Sequence, residues 1–268
     1  MKYYLDTEFI EGTQKKRFLG IPYGSTKNTI DLISIGIVCE DDREYYAVSK
    51  DFNLKEVWNR FQLDINKNFP MDPEYNKVYW IRENVLRPIF EEFLEKERGL
   101  IYKMQNMGVA CSGEVKDKFT YRNFKKLLKK YGTTDLKISK EVKNFIACEN
   151  INSGGQILLG NFHPNDKPKP EFYAYYADYD WVVFCWLFGR MIDLPNGFPM
   201  YCTDLKQILD EKVSKVHIDD GKGENLVHNR LSWIKTLPHY PDPKKYGEHN
   251  ALGDAKWARD FHQFLEKL

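Results

Sequence analysis

Asp6 and Glu8 stand two residues apart at the end of a short aromatic and apolar segment, Lys2 to Leu5, that reads as a strand. Residues two apart on a strand point to the same side. Two carboxylates on one face repel each other unless a cation sits between them, and a hard divalent metal fills that role well. Asp-x-Glu occurs three times, at Asp6/Glu8, Asp42/Glu44 and Asp72/Glu74. The last two fall in polar turns and read as solvated. Only the first abuts an apolar strand and runs on into Phe9-Ile10. Taken alone, the pair is as readily structural as functional, since structural networks also hold acidic pairs.

Two further elements lie far along the chain. In Glu248-His249-Asn250-Ala251-Leu252-Gly253-Asp254 a histidine precedes an aspartate by five residues, a spacing that none of the other five histidines shares. Asp254 falls one helical turn before Trp257 and Ala258, on the stripe that should pack inward, where a carboxylate without a partner is costly. The bland alternative is an exposed loop histidine and a helix-start charge favoured by the macrodipole. In Tyr176-Ala177-Asp178-Tyr179-Asp180-Trp181, Asp180 directly precedes an apolar helical run. Asp178 competes with it, and either could merely cap the helix.

These residues need elements to position them. Thr29 to Val38 is apolar on both alternating faces, the pattern of a central strand covered on both sides. Asp41-Asp42 makes a turn and Glu44 to Ser49 returns, so the N-terminus reads as an antiparallel meander. Glu11 to Asn28, with Lys15, Lys16, Arg17 and three glycines, reads as a long loop. Val85, Leu86, Ile89, Phe90, Phe93 and Leu94 recur at helical spacing, and Pro88 suggests a helix that begins later than the periodicity. Tyr121, Phe124, Leu127, Leu128 and Tyr131 mark another helix face, surrounded by Arg122, Lys125, Lys126, Lys129 and Lys130 and ended by Gly132. A second helix follows from about Ser139 to Glu149. The last third alternates. Glu171 to Ala177 reads as a strand and Asp180 to Met191 as a buried helix. Pro199 to Cys202 is a short strand, followed by a Thr203-capped helix to Glu211. After a loose stretch from about Ser214 to Gly247, a closing helix carries Trp257, Ala258, Phe261, Phe264 and Leu265 on its apolar face. This order predicts an α/β fold with a mixed sheet of about five strands flanked by helices.

Composition narrows the function classes. The chain has 268 residues, 42% of them hydrophobic and 15% aromatic, enough to build a core. Lys plus Arg total 40 and Asp plus Glu 39, so a polyanion site must be a local patch and not a bulk field. The longest uninterrupted apolar run, Trp181 to Phe188, is far short of the roughly 20 residues a membrane helix needs. The N-terminal residues lack the apolar stretch of a secretory signal. Five cysteines, widely spaced and without Cys-x-x-Cys, argue against a disulfide framework or a zinc site. The expectation is a cytoplasmic protein with reduced thiols and no membrane association.

Asp, Glu, Asp and Asp, with a histidine five residues before the last, resemble the DEDDh group of 3′–5′ exonucleases in the RNase H-like superfamily. Within it, the chain is most similar to bacterial 3′–5′ exoribonucleases related to mycobacterial RNase AS. The similarity rests on Tyr4-Leu5-Asp6-Thr7-Glu8-Phe9-Ile10-Glu11, on Ile30 to Gly36 with Arg43 to Ser49, and on Tyr176 to Val183. Leu187 to Met191 and Glu248 to Leu252 also contribute. Against such relatives, stretches near 12–28, 50–78 and 102–137 read as insertions on a single domain, the last of them helical and basic. The resemblance implies hydrolysis of single-stranded RNA, or of RNA 3′ tails, from the 3′ end to 5′-mononucleotides. DNA stays open as a substrate of the same chemistry, as does a homodimer; a non-catalytic nucleic-acid-binding module is the remaining alternative. By this analogy Asp6, Glu8 and Asp254 hold one Mg²⁺ or Mn²⁺ and Asp6 and Asp180 help hold a second, while His249 takes the proton of the attacking water. Two such ions roughly 3.5–4 Å apart can clamp the attacking and leaving oxygens of an in-line displacement. Imidazole suits the proton transfer because its pKa lies near neutrality. Thr7, Phe9 and Ile10 are the expected substrate contacts, with Phe9 and Ile10 packing on the terminal base.

Overall fold

The computed structural model describes residues 1–19, 21–64, 77–107, 117–147, 169–215 and 232–268. Asp72/Glu74, parts of the stretches 50–78 and 102–137, the end of the helix expected to reach Glu149, and much of the loose stretch after Ser214 lie outside them. Five strands form one mixed sheet in the order β5-β4-β1-β8-β9, flanked by helices. They are β1 (Lys2–Gly12), β4 (Thr29–Cys39), β5 (Glu44–Val48), β8 (Glu171–Ala174) and β9 (Thr203–Asp204). The doubly apolar β4 is an interior strand as its pattern requires. Cys39 N–H donates to Arg43 O across the turn to β5, and Ser49 N–H to Ile33 O at the far end. These opposed pairings make β4 and β5 antiparallel. β8 runs parallel to β1, with Tyr3 opposite Phe172, and β9 parallel to β8, with Tyr173 opposite Thr203.

The chain divides into two units. The first comprises Met1–Thr7, Ile35–Tyr46 and Leu136–Leu268. It holds the helices α4 (Asp135–Ala147, all but its first residue), α5 (Ala177–Trp186), α6 (Leu205–Lys215) and α7 (Ala251–Lys267). Tyr4, Leu205, Leu209, Val213, Ile234 and the predicted apolar stripe of α7 form one buried cluster. Each such large side chain contributes about 1.5–3 kcal/mol through removal from water. Trp257 is seated by its Nε1–H, which donates to Pro241 O at 2.8 Å. The start of α7 lies directly against β4 at Gly36, where a Cβ would overlap the Ala251 carbonyl and the Leu252 Cα. The expected Thr203 cap is displaced by one residue: Asp204 Oδ1 accepts from Lys206 N at 2.7 Å and also from Tyr176 N. Its carboxylate reaches the first-turn Lys206 N–H, while Thr203 stays paired in β9.

The second unit comprises Glu8–Ser34 and Ala47–Asp135. Here the stretch expected as a loop is a β-hairpin of β2 (Lys15–Phe18) and β3 (Ile21–Ser25). Backbone pairing makes the ladder, and its exposed side chains gave no alternation to read. The short pair β6 (Gln62–Leu63) and β7 (Lys77–Val78) and the helix α1 (Leu54–Asn59) follow. Pro88 does not delay the next helix. A π turn, Arg82–Leu86, precedes α2 (Arg87–Asn106), and Pro88 sits in the first turn of α2. The wider i→i+5 turn removes the need for a Pro88 N–H. Phe124, Leu127 and Leu128 of α3 (Tyr121–Tyr131) are buried as predicted. Among the described residues, no helix is long and apolar enough to cross a membrane.

Candidate active site

β1 brings Asp6, Thr7 and Glu8 to consecutive positions, Thr7 buried and the two acids half-buried. Thr7 is the link to the distant third acid. Its backbone N–H and its hydroxyl both donate to Asp180 Oδ1, at 2.8 and 2.6 Å. Asp180 lies in the first turn of α5 and is 6% exposed, whereas Asp178 is exposed. The geometry therefore separates two aspartates that the sequence left as alternatives. The turn into α5 passes through Tyr176, an exposed non-glycine residue in the left-handed region at φ 59°.

The other acid is placed by the start of α7. Asn250 caps this helix, its Oδ1 accepting from Leu252 N and Gly253 N, both at 3.1 Å. The approach to it bends through Gly247 and His249, both at positive φ. His249 N–H then donates to Asp254 Oδ2 at 2.9 Å. The cap satisfies two of the orphan N–H groups of the helix start, and Asp254 takes the N–H of His249 just before it. This last bond fixes the histidine's backbone to the carboxylate five residues on. Gly253 permits the arrangement, because a Cβ there would overlap the Tyr246 carbonyl.

Burial pushes the Asp180 carboxyl well above the usual carboxylate range. The two Thr7 bonds oppose the rise and the charge of Asp254 adds to it. Burial likewise raises Asp254, against the pull of the His249 N–H and the His249 ring. Among the described residues, neither carboxylate has a lysine or arginine within ion-pair distance. A buried and a half-buried acid close enough to repel, with no lysine or arginine pairing either, suit a divalent cation. The donor set is oxygen with one imidazole. Cys202 adds no thiolate, because burial first and Asp180 second push its thiol far above its ordinary value. Such a set fits Mg²⁺ or Mn²⁺ better than a soft metal.

Two Mycobacterium tuberculosis proteins, from strains CDC 1551 / Oshkosh and ATCC 25618 / H37Rv, are similar to this chain. Both are named 3′–5′ exoribonuclease. Each is 36% identical to it over 94 residues, a match covering 35% of this chain and 46% of the relative. The chain thus aligns with less than half the length of these relatives. No protein-family model matches it.

The structure draws Asp6, Thr7, Asp180, His249 and Asp254 from three separated segments into the first unit. Glu8 is the next residue of β1 and opens the second. Ile10, expected against a terminal base, is 1% exposed and belongs to the core, which leaves the half-buried Phe9 as the apolar surface beside the pair. Thr7, expected to touch substrate, spends both its donors on Asp180. Three positioning residues escaped the sequence reading: Asn250, Gly36 and Gly253. Asn250 was within reach of it, as a cap-type residue directly before a helical stripe. The glycines were not: Gly36 meets Ala251 and Leu252 from a remote segment, and Gly253 meets Tyr246 only through the bend that precedes α7.

Proposed function

We propose that this chain is a metal-dependent 3′–5′ exoribonuclease that removes 5′-mononucleotides from the 3′ end of single-stranded RNA. The observation that carries the reading is the pair of mutually repelling carboxylates, buried Asp180 and half-buried Asp254, with no lysine or arginine partner among the described residues. The similarity to proteins named 3′–5′ exoribonuclease supports the direction and the sugar. Asp6, Glu8, Asp180 and Asp254 are the proposed holders of two Mg²⁺ or Mn²⁺ ions. When bound, these ions supply charge neutralisation at the phosphate and a more acidic attacking water.

The chain's own groups do the rest. His249 accepts the proton of the attacking water at a ring nitrogen, and the bond from its backbone N–H to Asp254 keeps the ring beside that acid. Thr7 holds Asp180 in one rotamer, so the carboxylate need not reorganise as charge develops. Phe9 offers a partly exposed ring beside the acidic pair on which a terminal base can stack.

The test is a 5′-labelled single-stranded RNA incubated with the protein and Mg²⁺, beside EDTA, the equivalent DNA and the Asp6→Ala protein. The reading expects a ladder shortening from the 3′ end on RNA, abolished by EDTA and by the substitution. Cleavage that survives EDTA, or that starts internally, overturns it.

A further inference from the structure

The β2–β3 hairpin carries a surface that folding does not explain. Phe18, Leu19, Ile21 and Tyr23 are 71%, 87%, 69% and 67% exposed, although they follow one another within six residues. A hairpin with no need of its apolar side chains would carry polar ones, since exposed apolar clusters invite aggregation. The ladder pairs Phe18 with Ile21 and Lys16 with Gly24, and a bulge between Lys16 and Arg17 leaves Tyr23 between the two pairings. One face of the ribbon therefore presents Lys16, Phe18 and Ile21 together, and Tyr23 stands exposed at the bulge beside them.

The charge on this segment is one-sided. Residues 12–28 contain Lys15, Lys16, Arg17 and Lys27 and no acidic residue, in a chain whose lysines and arginines exceed its acids by only one. The base of the hairpin, by contrast, is fixed. Gln14 is buried, exchanges backbone and side-chain bonds with Thr26, and donates through Nε2 to Asp31. Arg60 donates to the carbonyls of Glu11 and Thr13, at 3.2 and 3.0 Å. An anchored ribbon whose tip interleaves exposed aromatic rings with cations has the two components of a single-strand platform. Rings stack on unpaired bases and cations meet the phosphates.

We propose that the exposed β2–β3 hairpin, through Phe18, Tyr23 and the lysines beside them, binds single-stranded nucleic acid by stacking its bases. The polyanion is favoured over a second copy of this chain, because a face with this excess of positive charge repels its own copy. The proposal extends the exoribonuclease reading by adding a binding surface for the body of the strand, on the same unit as Glu8.

Binding is measured by fluorescence anisotropy of labelled 20-mer RNA in EDTA, so that no turnover is needed, on the unsubstituted protein, Phe18→Ala/Tyr23→Ala and Lys15→Gln/Lys16→Gln. All four side chains are exposed, and far-UV circular dichroism checks that the hairpin variants keep the fold. The aromatic variant should bind at least about tenfold more weakly, with an unchanged slope of log affinity against log salt. The lysine variant should lower that slope by about 1.4, or about 0.7 for each phosphate left without its lysine. Base-paired RNA, whose bases are already stacked, should bind weakly to the unsubstituted protein and equally weakly to the aromatic variant. Unaltered affinity for the 20-mer in the aromatic variant overturns the proposal. So does a variant that changes from dimer to monomer in sedimentation while binding RNA as before, which would make the face a contact between copies. Because the readout needs no catalysis, a protein that binds through the hairpin yet shortens no RNA would sink the exoribonuclease reading and leave this one standing.

Discussion

Thr7 and Asp180 are joined twice, the backbone N–H and the hydroxyl of one residue converging on a single carboxylate oxygen of the other. One bond survives any side-chain substitution of Thr7 and the other does not. Thr7→Val keeps shape and β-branching and removes only the hydroxyl. A hydrogen bond to a charged group is worth about 1.5–3 kcal/mol, and outer partners of metal-site carboxylates typically change activity by roughly 10–100-fold. We expect Thr7→Val to lower RNA turnover within that range and Thr7→Ser to restore most of it. Steady-state kinetics on labelled RNA decides; equal rates for valine and serine would show that the hydroxyl does not matter.

The raised carboxyls of Asp180 and Asp254 make the metal-free protein pH-sensitive. Both ionise at higher pH in the fold than in the unfolded chain, where the ordinary value is about 3.9. Across that window unfolding releases protons, so stability present at acid pH is lost as pH rises towards and through neutrality. The melting temperature in EDTA should fall between pH 5 and pH 8. Asp180→Asn, which keeps an oxygen for Thr7, should flatten the fall and melt higher at pH 8. Mg²⁺ should restore the unsubstituted protein at pH 8 and do little for the variant. A melting temperature independent of pH in EDTA would remove the argument.

His249 is tied to Asp254 through its backbone, so replacing its ring leaves that bond in place. His249→Ala should therefore keep metal-dependent RNA binding and lose turnover by about 10²–10⁴-fold, the usual contribution of a positioned general base. Binding by anisotropy and turnover on the same RNA separate the two effects. A proportional loss of both would assign the histidine to substrate binding instead.

Much of this arrangement was legible because it is written in local patterns. The β1 acids, the doubly apolar β4 and the stripes of α3 and α7 lie within single elements, and the His249–Asp254 spacing spans only one helix start. The failures share a cause. Nothing in 15–25 alternates, because both faces of that hairpin carry exposed side chains, so period gave no strand signal. α5 is apolar nearly all round, so pattern favoured Asp180 over Asp178 only through its place before the apolar run; its burial and its bonds to Thr7 come from a partner remote in sequence. The lysine face of α3 read as a uniform patch, yet Lys130 is paired with Glu97, whose carboxyl the lysine and the Tyr131 hydroxyl hold below its usual range. Any contact of α3 with RNA phosphates therefore falls to Lys125, Lys126 and Lys129. Their joint change to glutamine should flatten the salt dependence of RNA binding, while Lys130→Gln alone should not. An unchanged slope in the triple variant would exclude α3 from the RNA contacts.

Gly253 gives a case where two physical rules oppose each other. It lies in the first turn of α7, where alanine is the better helix former by roughly 1 kcal/mol, so propensity alone predicts that Gly253→Ala stabilises. Packing predicts the reverse. A Cβ there meets the backbone carbonyl of Tyr246 and crowds that of Gly247, and backbone cannot rotate aside as a flexible side chain can. Overpacking of this kind costs about 1–3 kcal/mol, which outweighs the propensity gain. The displaced backbone is also the segment that delivers His249 to Asp254, so the damage should be catalytic as well as structural. We expect Gly253→Ala to lower both the urea midpoint and RNA turnover. Gly99→Ala, in α2 with open space around it, should raise stability slightly through propensity alone. A stabilised and fully active Gly253→Ala protein would mean that the Tyr246–Gly247 backbone yields without disturbing the histidine, and that the close approach does not hold the site.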